Sequence, residues 1–369
     1  QGLKVFIVGG IRPDWINLSL LIGRLDKQLG QENVIICHTE QHYSYALDGI
    51  FFRELGLRSP NYRLGIGSVS SFQQVTENLS KVEPLLVKEK PDVAISFSDG
   101  NPAMFAIAAN RLGIRVLHLE AGMRSFDYRM PEEKNRRIVD SISDHLFPPS
   151  LPALRNLMQE GHPSSQCTLV GKMILDIIDR HKVLIDKSPI DGEYYLAEFH
   201  RPENVEDSSN LVVLIQLLKE VHLQTGAPVF FPMHPRTRSA IMRNSLFNSD
   251  INFLEPLGFF EFEALQKNAK AVITDSGTSQ EVCCYQHVPC LVARMSTERE
   301  ECVDVGASIV CGNQDGTFTL EKCLSMFDAL LDRPRDWVVP YGKGATDAIV
   351  DFIMKHQDEF RRKKVRWND

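Results

Sequence analysis

The densest group of charged residues in the chain lies between positions 118 and 137. Glu120 directly follows the segment 116–119, which has the composition of a strand buried on both faces. Glu132 and Arg136 are four residues apart, so a helix would bring them to one face. Because a buried carboxylate costs free energy unless it is paired or used, Glu120 is a candidate acid or base. Taken alone, Glu132 and Arg136 could instead form a surface ion pair.

Polar side chains follow other predicted strands in the same way. Asp99, His200 and His234 each lie three residues beyond an apolar segment of strand length. A single histidine is usually structural, but His200 and His234 each have an arginine within two residues and belong to the same predicted sheet. Histidine and arginine together suit an oxyanion, so the pattern favours a site for pyrophosphate or a similar group.

Two loops have the composition of anion-binding turns. Residues 9–14 place two glycines and Arg12 after the first predicted strand, which allows a ligand to approach the backbone closely. Residues 275–279 open a predicted helix, whose first N–H groups and hydroxyl side chains could bind a phosphate. The alternatives are a strand–helix turn that needs its glycines for geometry alone, and a plain helix cap by Asp275 or Ser276.

Several cofactor signatures are missing from the sequence. No GxGxxG follows the first strand and no GxxxxGK[ST] occurs, which argues against dinucleotide binding and P-loop phosphoryl transfer. Without HExxH, DxD or a His/Cys cluster, we expect no metal site. Glu298 follows the predicted strand 290–293, and a carboxylate at such a strand end could bind ribose hydroxyls.

Short apolar strands alternate with helix-length amphipathic segments throughout the chain. This alternation predicts parallel sheets covered by helices on both faces. The predicted helices are 14–29, 102–112 and 207–224, and the predicted strands are 3–8, 34–37, 93–96, 116–119, 194–197, 229–231, 251–254, 271–274, 290–293 and 308–310.

The pattern restarts after a segment of linker composition at 187–192. We therefore predict two doubly wound α/β domains, 1–185 and 186–369, with the last helix as a candidate to cross back to the first domain. Ligands of such sheets bind outside the carboxyl ends of the strands. Two halves that face each other would then enclose a ligand in an interdomain cleft.

Length and composition agree with two ordinary globular domains. The 369 residues are 43% hydrophobic and 24% charged, which excludes a disordered chain or a coiled coil. The net charge of -7 argues against nucleic acid and anionic membrane surfaces as partners. The sequence contains no run of 18 apolar residues, so it predicts no membrane span. Eight cysteines without a CxxC pair favour reduced thiols in a cytoplasmic protein.

Eight short motifs, in order along the chain, resemble those of the non-hydrolysing UDP-N-acetylglucosamine 2-epimerase family. The likeness extends over almost the full length. The matching segments are Gly10 to Asp14, Gln41-His42, Glu120 to Arg124, Pro131 to Arg136, His200 to Asn204, Asp275 to Gly277 with Gln280-Glu281, Thr297 to Arg299, and Pro340 to Gly342.

The resemblance implies two Rossmann-like domains of the GT-B kind and an epimerase that inverts the acetamido-bearing sugar carbon. In this family UDP is eliminated to give a glycal and is then added back to the other face. The implied substrate is UDP-N-acetylglucosamine, or a modified UDP-N-acetylhexosamine, for the synthesis of surface polysaccharide precursors. The route is redox neutral and needs no cofactor. The family also implies a homodimer.

Carried over by motif, the site divides into three sets. The first domain would carry the sugar chemistry and the second would bind UDP. The implied catalytic residues are Asp99, Glu120, Glu132 and His200; the implied substrate and UDP-binding residues are Arg12, Arg136, His234, Ser276, Gly277, Thr278, Glu281, Glu298 and Arg299; and Gln41 and His42 are candidate regulatory residues.

Departures from the family pattern bear on the substrate. Asp14 stands where the family has glutamate, Asn17 where it has lysine, and Phe97-Ser98 where it has His-Gly. Segments 126–129 and 259–260 look more like those of members acting on modified UDP-sugars, such as L-fuco sugars or diacetamido-uronic acids. The alternatives are a GT-B glycosyltransferase, a hydrolysing epimerase, and an inactive UDP-sugar-binding protein.

Overall fold

The computed structural model of the chain describes residues 2–41 and 45–367. By their internal contacts the residues form two compact units. The first unit comprises Gln1–Ile177 and Tyr341–Asp369, and the second comprises Ile178–Pro340. The predicted division of labour between residues 1–185 and 186–369, and the cleft between them, stay predictions.

Each unit contains one six-stranded parallel sheet with helices around it, so the predicted α/β class is confirmed. The strands are β1 (Val5–Gly9), β2 (Val34–His38), β3 (Tyr62–Arg63), β4 (Val93–Phe97), β5 (Arg115–Leu119), β6 (His145–Phe147), β7 (Tyr195–Glu198), β8 (Val229–Pro232), β9 (Asn252–Leu254), β10 (Ala271–Thr274), β11 (Cys290–Val292) and β12 (Ser308–Val310).

The helices up to α7 belong to the first unit, although the last residues of α7 lie in the second unit. They are α1 (Arg12–Leu29), α2 (Tyr45–Glu54), α3 (Ser71–Glu89), α4 (Ala106–Arg111), α5 (Pro131–Ile142), α6 (Leu151–Gln159) and α7 (Met173–Arg180), with 3-10 turns at Gln31–Asn33, Asn101–Phe105 and Ser164–Gln166.

The remaining helices belong to the second unit or to the returning C-terminal segment. They are α8 (Lys182–Ile185), α9 (Pro202–Val205), α10 (Ser208–Thr225), α11 (Pro235–Arg243), α12 (Phe259–Lys267), α13 (Gly277–Tyr285), α14 (Glu300–Asp304), α15 (Leu320–Leu331), α16 (Ala345–Lys355) and α17 (Gln357–Phe360). Helix α16 packs on α1 within the first unit.

The two sheets have the same topology. Their strand orders are β3-β2-β1-β4-β5-β6 and β12-β11-β10-β7-β8-β9, and every neighbouring pair is parallel. The chain order reverses between β1 and β4 in the first sheet and between β7 and β10 in the second. Open α/β sheets bind ligands beyond the carboxyl ends of the strands at such reversals. The topology alone therefore indicates one candidate ligand site in each sheet.

Burial explains why these segments form central strands. Every residue of β1, β4, β5 and β10 is buried, as expected for strands covered by helices on both faces. The sequence analysis missed β3 and β6, which have only two and three residues. All eight cysteines are free thiols and seven of them are buried. Within the described residues, no helix is long and apolar enough to cross a membrane.

Candidate active site

The first reversal point is bordered by the loop between β1 and α1. Asp14 is buried, and its Oδ2 accepts hydrogen bonds from the backbone N–H groups of Gly10, at 2.9 Å, and Ile11, at 3.2 Å. A side chain at position 10 would meet Thr39, since an added Cβ would lie 1.9 Å from its Oγ1. Glycine is therefore required here, and Asp14 holds the loop against the sheet edge.

Asp99 lies on the other side of this reversal point, two residues beyond β4. Its Oδ2 accepts hydrogen bonds from Arg136 Nε, at 2.9 Å, and Nη2, at 2.6 Å. Asn135 Nδ2 donates to the main-chain carbonyl of Asp99 at 2.9 Å. Arg136 is itself buried and also donates from Nη1 to Glu133 Oε1 at 2.8 Å. Two consecutive residues of α5 therefore fix both the backbone and the carboxylate of Asp99.

Glu120 follows β5, which neighbours β4 in the sheet. Its carboxylate is buried, and Lys172 Nζ donates to its Oε1 at 2.9 Å. Glu120 has φ 60°, and Ser98 at the end of β4 has φ 59°. Left-handed backbone is uncommon outside glycine and persists where the surrounding structure imposes it. The strands therefore end in two constrained residues, Ser98 and Glu120, and Asp99 directly follows the first of them.

A buried network beneath this edge explains the constraint. His118 on β5 contacts Asp140 Oδ1 from Nδ1 at 2.5 Å and the Ser98 carbonyl from Nε2 at 2.8 Å. The ring thereby links the end of β4 to α5 through two buried contacts. Burial opposes ionisation of Asp140, but His118 and Arg124 lower the pKa of its carboxyl. Asp140 Oδ2 also accepts the Gly122 N–H at 3.0 Å.

Gly122 is the glycine of the Glu-Ala-Gly segment, and its position admits no side chain. Its φ is 79°, and an added Cβ would lie 2.2 Å from the Ala153 carbonyl oxygen of α6. Two residues further along the chain, Arg124 donates from Nη2 to Asp140 Oδ2 at 2.7 Å and to Glu160 Oε2 at 2.6 Å. This motif therefore anchors the turn after Glu120.

The two glutamates of α5 have different surroundings. Glu133 is buried, and its carboxylate accepts the backbone N–H groups of Ser125, at 3.0 Å, and Phe126, at 2.6 Å, besides the Arg136 guanidinium. Glu132 is half-buried in the first turn of the helix. Glu133 therefore holds the loop 125–130, and the catalytic role predicted for Glu132 stays a prediction.

Negative charge accumulates at this edge. Burial raises the pKa of Asp14 to about 7, backbone hydrogen bonds from Gly10 and Ile11 oppose the shift, and the charges of Asp99 and Glu120 add to it. Asp14, Asp99 and Glu120 follow β1, β4 and β5, three strands that are consecutive in the first sheet, so the topology brings these carboxyl groups to one edge. The first unit therefore carries a carboxylate cluster at its reversal point, with Arg136 and Lys172 as counterions.

The second reversal point joins two other predicted motifs. Asp275, after β10, is fully buried and accepts the backbone N–H groups of His200, at 3.1 Å, and Arg201, at 3.0 Å. Asn204 Nδ2 donates to the same carboxylate at 3.0 Å, and His200 Nδ1 lies 3.2 Å from its Oδ1. Asp275 therefore holds the loop after β7 and leaves the half-buried imidazole of His200 at the sheet edge.

The loop after Asp275 begins α13. Ser276 is the N-cap, and its hydroxyl accepts the Ser279 N–H at 3.3 Å. Gly277 lies against the guanidinium of Arg299, since an added Cβ would lie 2.4 Å from Nη1. Thr278 is half-buried in the first turn. The leading N–H groups of a helix have no intrahelical acceptor, and here they adjoin a cation, so this end of α13 suits an anion.

Arg299 connects two predicted ribose ligands. Its Nε donates to Glu281 Oε2 at 3.1 Å, and its Nη1 contacts Glu298 closely. Arg294 Nη2 donates to Glu298 Oε2 at 2.7 Å. All four side chains are buried. Glu298 thus lies between two arginines, which engages both of its carboxylate oxygens within the protein.

A further carboxyl group, Glu263 on α12, is buried in the second unit. Burial, together with the charge of Glu198 at the end of β7, raises the pKa of Glu263 to about 8. Its Oε2 accepts a hydrogen bond from Gln266 at 3.1 Å, which opposes the shift.

The other predicted site residues are more peripheral. Arg12 is exposed in the first turn of α1, with its guanidinium 4.5 Å from the centre of the Phe51 ring. His234 caps α11, and its Nδ1 accepts the Arg236 N–H at 3.2 Å. Gln41 is buried after β2, and His42 lies outside the described residues. The roles assigned to these residues stay predictions.

Sequence reasoning missed Lys172, Asp140 and His118 as parts of the site. Glu133, Arg136 and Asp140 share one helical face, and charges on a face that packs inward were a readable signal. No local sequence pattern indicated Lys172, because it is 52 residues from its partner Glu120. Within the described residues, no group of three or more His, Cys, Asp or Glu could hold a metal ion.

These two sites can be compared with known proteins. The family model described as UDP-N-acetylglucosamine 2-epimerase matches residues 27–354. The chain belongs to this family. The resemblance read from its motifs is thereby confirmed.

Individual relatives agree with the family assignment. The chain is 38% identical to the UDP-N-acetylglucosamine 2-epimerase of Methanocaldococcus jannaschii, an alignment covering 96% of this chain and 99% of the relative. It is 34% identical to the UDP-2,3-diacetamido-2,3-dideoxy-D-glucuronate 2-epimerase of Pseudomonas aeruginosa, over 96% of this chain and 100% of the relative. The fold is similar to that of the M. jannaschii UDP-GlcNAc 2-epimerase in complex with UDP-GlcNAc and UDP, with a TM-score of 0.88, 37% identity, and coverage of 96% and 100%.

Proposed function

We propose that this member of the family is a UDP-N-acetylhexosamine 2-epimerase that acts by elimination and re-addition of UDP. The sugar chemistry is assigned to the carboxylate cluster of the first unit. The diphosphate and ribose are assigned to the second unit, at the end of α13 and the loop after β7.

The reaction needs three kinds of group. The C–H bond at the second sugar carbon is not acidic enough to ionise unaided, so its removal must accompany departure of UDP. A base takes the proton, the C–H electron pair forms the double bond between the first two carbons, and the C–O bond breaks with its electrons leaving on UDP. Addition of UDP to the glycal, with proton delivery from the other face, gives the epimer. Carboxylates supply the proton transfers and stabilise oxocarbenium character, and cationic donors stabilise the departing UDP.

The observation that carries this proposal is the pairing of Asp99 and Glu120 at neighbouring strand ends. Each carboxylate is fixed by its own buried cation, Arg136 for Asp99 and Lys172 for Glu120. A cationic partner favours the ionised form, which is the form a base requires. In our assignment Asp99, Glu120 and Glu132 share the acid, base and cation-stabilising roles.

In the second unit, His200 is assigned to the diphosphate. Its loop is held by Asp275, and its ring stands at the reversal point of the second sheet. Ser276, Gly277 and Thr278 would bind phosphate through the N-terminal end of α13. We assign Glu281 and Arg299 to the ribose side of the same site. Arg12, Arg136 and His234 remain candidates for contacts to the diphosphate.

The test is an assay of turnover that is monitored by NMR. Purified protein incubated with UDP-N-acetylglucosamine is expected to form UDP-N-acetylmannosamine until the two reach a constant ratio. Glu120→Gln is expected to abolish turnover while UDP binding, measured by calorimetry, changes less than threefold. Accumulation of free UDP and N-acetylmannosamine would instead indicate a hydrolysing enzyme. Transfer of the sugar to an acceptor would indicate a glycosyltransferase, and UDP binding without turnover of any UDP-sugar would indicate an inactive binding protein.

A modified sugar is the second candidate substrate. The Pseudomonas relative is named for UDP-2,3-diacetamido-2,3-dideoxy-D-glucuronate, and the loop 126–129 favours such a branch. A side-by-side measurement of kcat/KM for this compound and for UDP-N-acetylglucosamine distinguishes the two. A ratio above about 100 in either direction identifies the preferred sugar, since that corresponds to about 2.7 kcal/mol of transition-state discrimination.

The family resemblance also leads us to propose a homodimer, and the eight cysteines without a CxxC pair lead us to propose a cytoplasmic location. Light scattering at the assay concentration tests the first, and cell fractionation tests the second. A monomer of full activity would contradict a dimer as the working form.

A further inference from the structure

Lys172 is a fully buried lysine that no sequence motif had marked. It directly precedes α7, and its side chain is 0% exposed. Lysine is among the residues least often buried unless it is paired. Its Nζ donates to Glu120 Oε1 at 2.9 Å and contacts Met123 Sδ at 3.3 Å. A desolvated ammonium at this position therefore has a specific anionic partner.

The backbone around Lys172 is fixed as firmly as the side chain. Gly171 has φ 97°, and an added Cβ there would lie 2.5 Å from the Gly342 carbonyl oxygen. Gly342 thus abuts the turn that precedes Lys172. A lysine held at both its backbone and its ammonium group presents its charge at one point.

The charges around Glu120 explain what this point charge does. Asp14 at the start of α1 and Asp99 after β4 belong to the same carboxylate cluster at the reversal point of the sheet. Arg136 on α5 is engaged by Asp99 and Glu133. His118 on β5 is directed at Ser98 and Asp140. Lys172 is the cation that contacts Glu120 directly, through the hydrogen bond from its Nζ to Oε1.

We propose that Lys172 is the positioning residue of Glu120, keeping its carboxylate ionised and aimed for proton transfer in the reaction. The inference rests on the proposed function, because it assigns Glu120 an acid–base role. An ammonium suits the task because it is a compact charge, whereas a guanidinium imposes a planar fork of donors.

Three variants test this role. Lys172→Gln removes the charge, Lys172→Arg keeps it with a different shape, and Glu120→Gln/Lys172→Gln removes both charges. Lys27→Gln, at an exposed position near the end of α1, is the control. For each we would measure kcat and KM for the UDP-sugar from pH 5 to 9, UDP affinity, and the ¹³C titration of labelled glutamate, with Glu120 assigned from the Glu120→Gln spectrum.

Lys172→Gln is expected to lower kcat by about 100-fold, in the range of general acid–base effects, with KM changed less than threefold. The acidic limb of its pH–kcat profile should move at least one unit towards higher pH, and the Glu120 resonance should titrate correspondingly higher. Lys172→Arg should keep the wild-type acidic limb at reduced kcat. The double variant should fold and remain inactive.

An unshifted acidic limb and an unshifted Glu120 resonance in folded Lys172→Gln would overturn the inference. If Lys172→Gln does not fold, the test rests on Lys172→Arg. An acidic limb of its pH–kcat profile that differs from wild type would show that the charge at position 172 does not set the position of that limb. The NMR titration needs no turnover. A wild-type protein that is inactive with every UDP-sugar, yet shows the titration shift in Lys172→Gln, would defeat the proposed function and leave the Lys172–Glu120 coupling standing.

Discussion

Arg136 Nε and Nη2 both donate to one oxygen of Asp99, at 2.9 and 2.6 Å, while Nη1 of the same guanidinium reaches Glu133. One buried side chain on α5 thereby fixes a carboxylate at the end of β4 and a second carboxylate that holds the loop 125–130. The catalytic assignment of Asp99 depends on this arrangement.

Arg136→Lys tests the dependence. Lysine keeps the positive charge but cannot supply three fixed donors in a plane, so Asp99 and Glu133 would lose their common anchor. We expect kcat to fall by roughly 10- to 100-fold through misplacement of Asp99, with a smaller change in KM. Steady-state kinetics under the turnover assay measures this.

The matched control is Arg137→Lys, one residue further along α5. Arg137 is largely exposed and forms an ion pair with Glu160 at 3.3 Å, a type of contact worth little. Its kcat should stay within twofold of wild type. Equal effects at positions 136 and 137 would contradict the positioning of Asp99 by Arg136.

Much of this site was predictable from local sequence, because strand ends are local features. Asp99 and Glu120 each follow an apolar segment, and the alternation of strands and helices brings their strands together in one sheet. Asp275 and Ser276 were predicted from the same signal. The two six-stranded parallel sheets confirm the predicted arrangement of strands, and the roles of these residues stay predictions.

The counterions were not predictable, because their identity depends on tertiary packing. Lys172 comes from a turn 52 residues from Glu120, and no periodicity links the two. The contacts of Arg136 with Asp99 and Glu133 were not predicted either, and its predicted contact with a diphosphate stays a prediction. Glu298 was a candidate ribose ligand, and its observed partners are Arg294 and Arg299.

Asp14→Asn tests the burial of a carboxyl group beside Asp99 and Glu120. The folded-state pKa of Asp14 is raised to about 7 from 3.8, so folding favours its protonated form. Wild-type stability should therefore fall as pH rises from about 4 through 7, whereas an asparagine carries no such penalty and can still accept from Gly10 and Ile11. The gain in unfolding free energy of the variant over wild type should grow by on the order of 2–3 kcal/mol between pH 5 and pH 8.

Thermal or urea unfolding at the two pH values measures this difference. Asp347→Asn, at an exposed position on α16, controls for loss of a surface carboxylate. If Asp14→Asn and wild type keep a constant stability difference from pH 5 to 8, Asp14 does not titrate as the cluster requires.

Gly277→Ala tests the nucleotide end of α13. The added methyl carbon would lie 2.4 Å from Arg299 Nη1, so the guanidinium must leave its place beside Glu281 and Glu298. Because a side chain can move where a backbone could not, the fold should survive. UDP affinity should drop about tenfold, or about 1.4 kcal/mol, in calorimetry.

Gly23→Ala provides the comparison, since its added Cβ meets nothing within 4 Å on α1. Replacing a helical glycine there should stabilise the protein slightly and leave UDP binding unchanged. If Gly277→Ala binds UDP as tightly as wild type, the loop 275–278 is not part of the UDP site.

The exchange of the proton at the second sugar carbon tests the central claim most directly. In deuterated water, elimination and re-addition must place solvent deuterium at that carbon in the epimerised product, and in recovered substrate once the reaction runs in reverse. We predict complete labelling of UDP-N-acetylmannosamine, or of the corresponding modified product, at this single position by ¹H NMR. Epimerised product that retains its original hydrogen there would contradict the mechanism assigned to the Asp99 and Glu120 cluster.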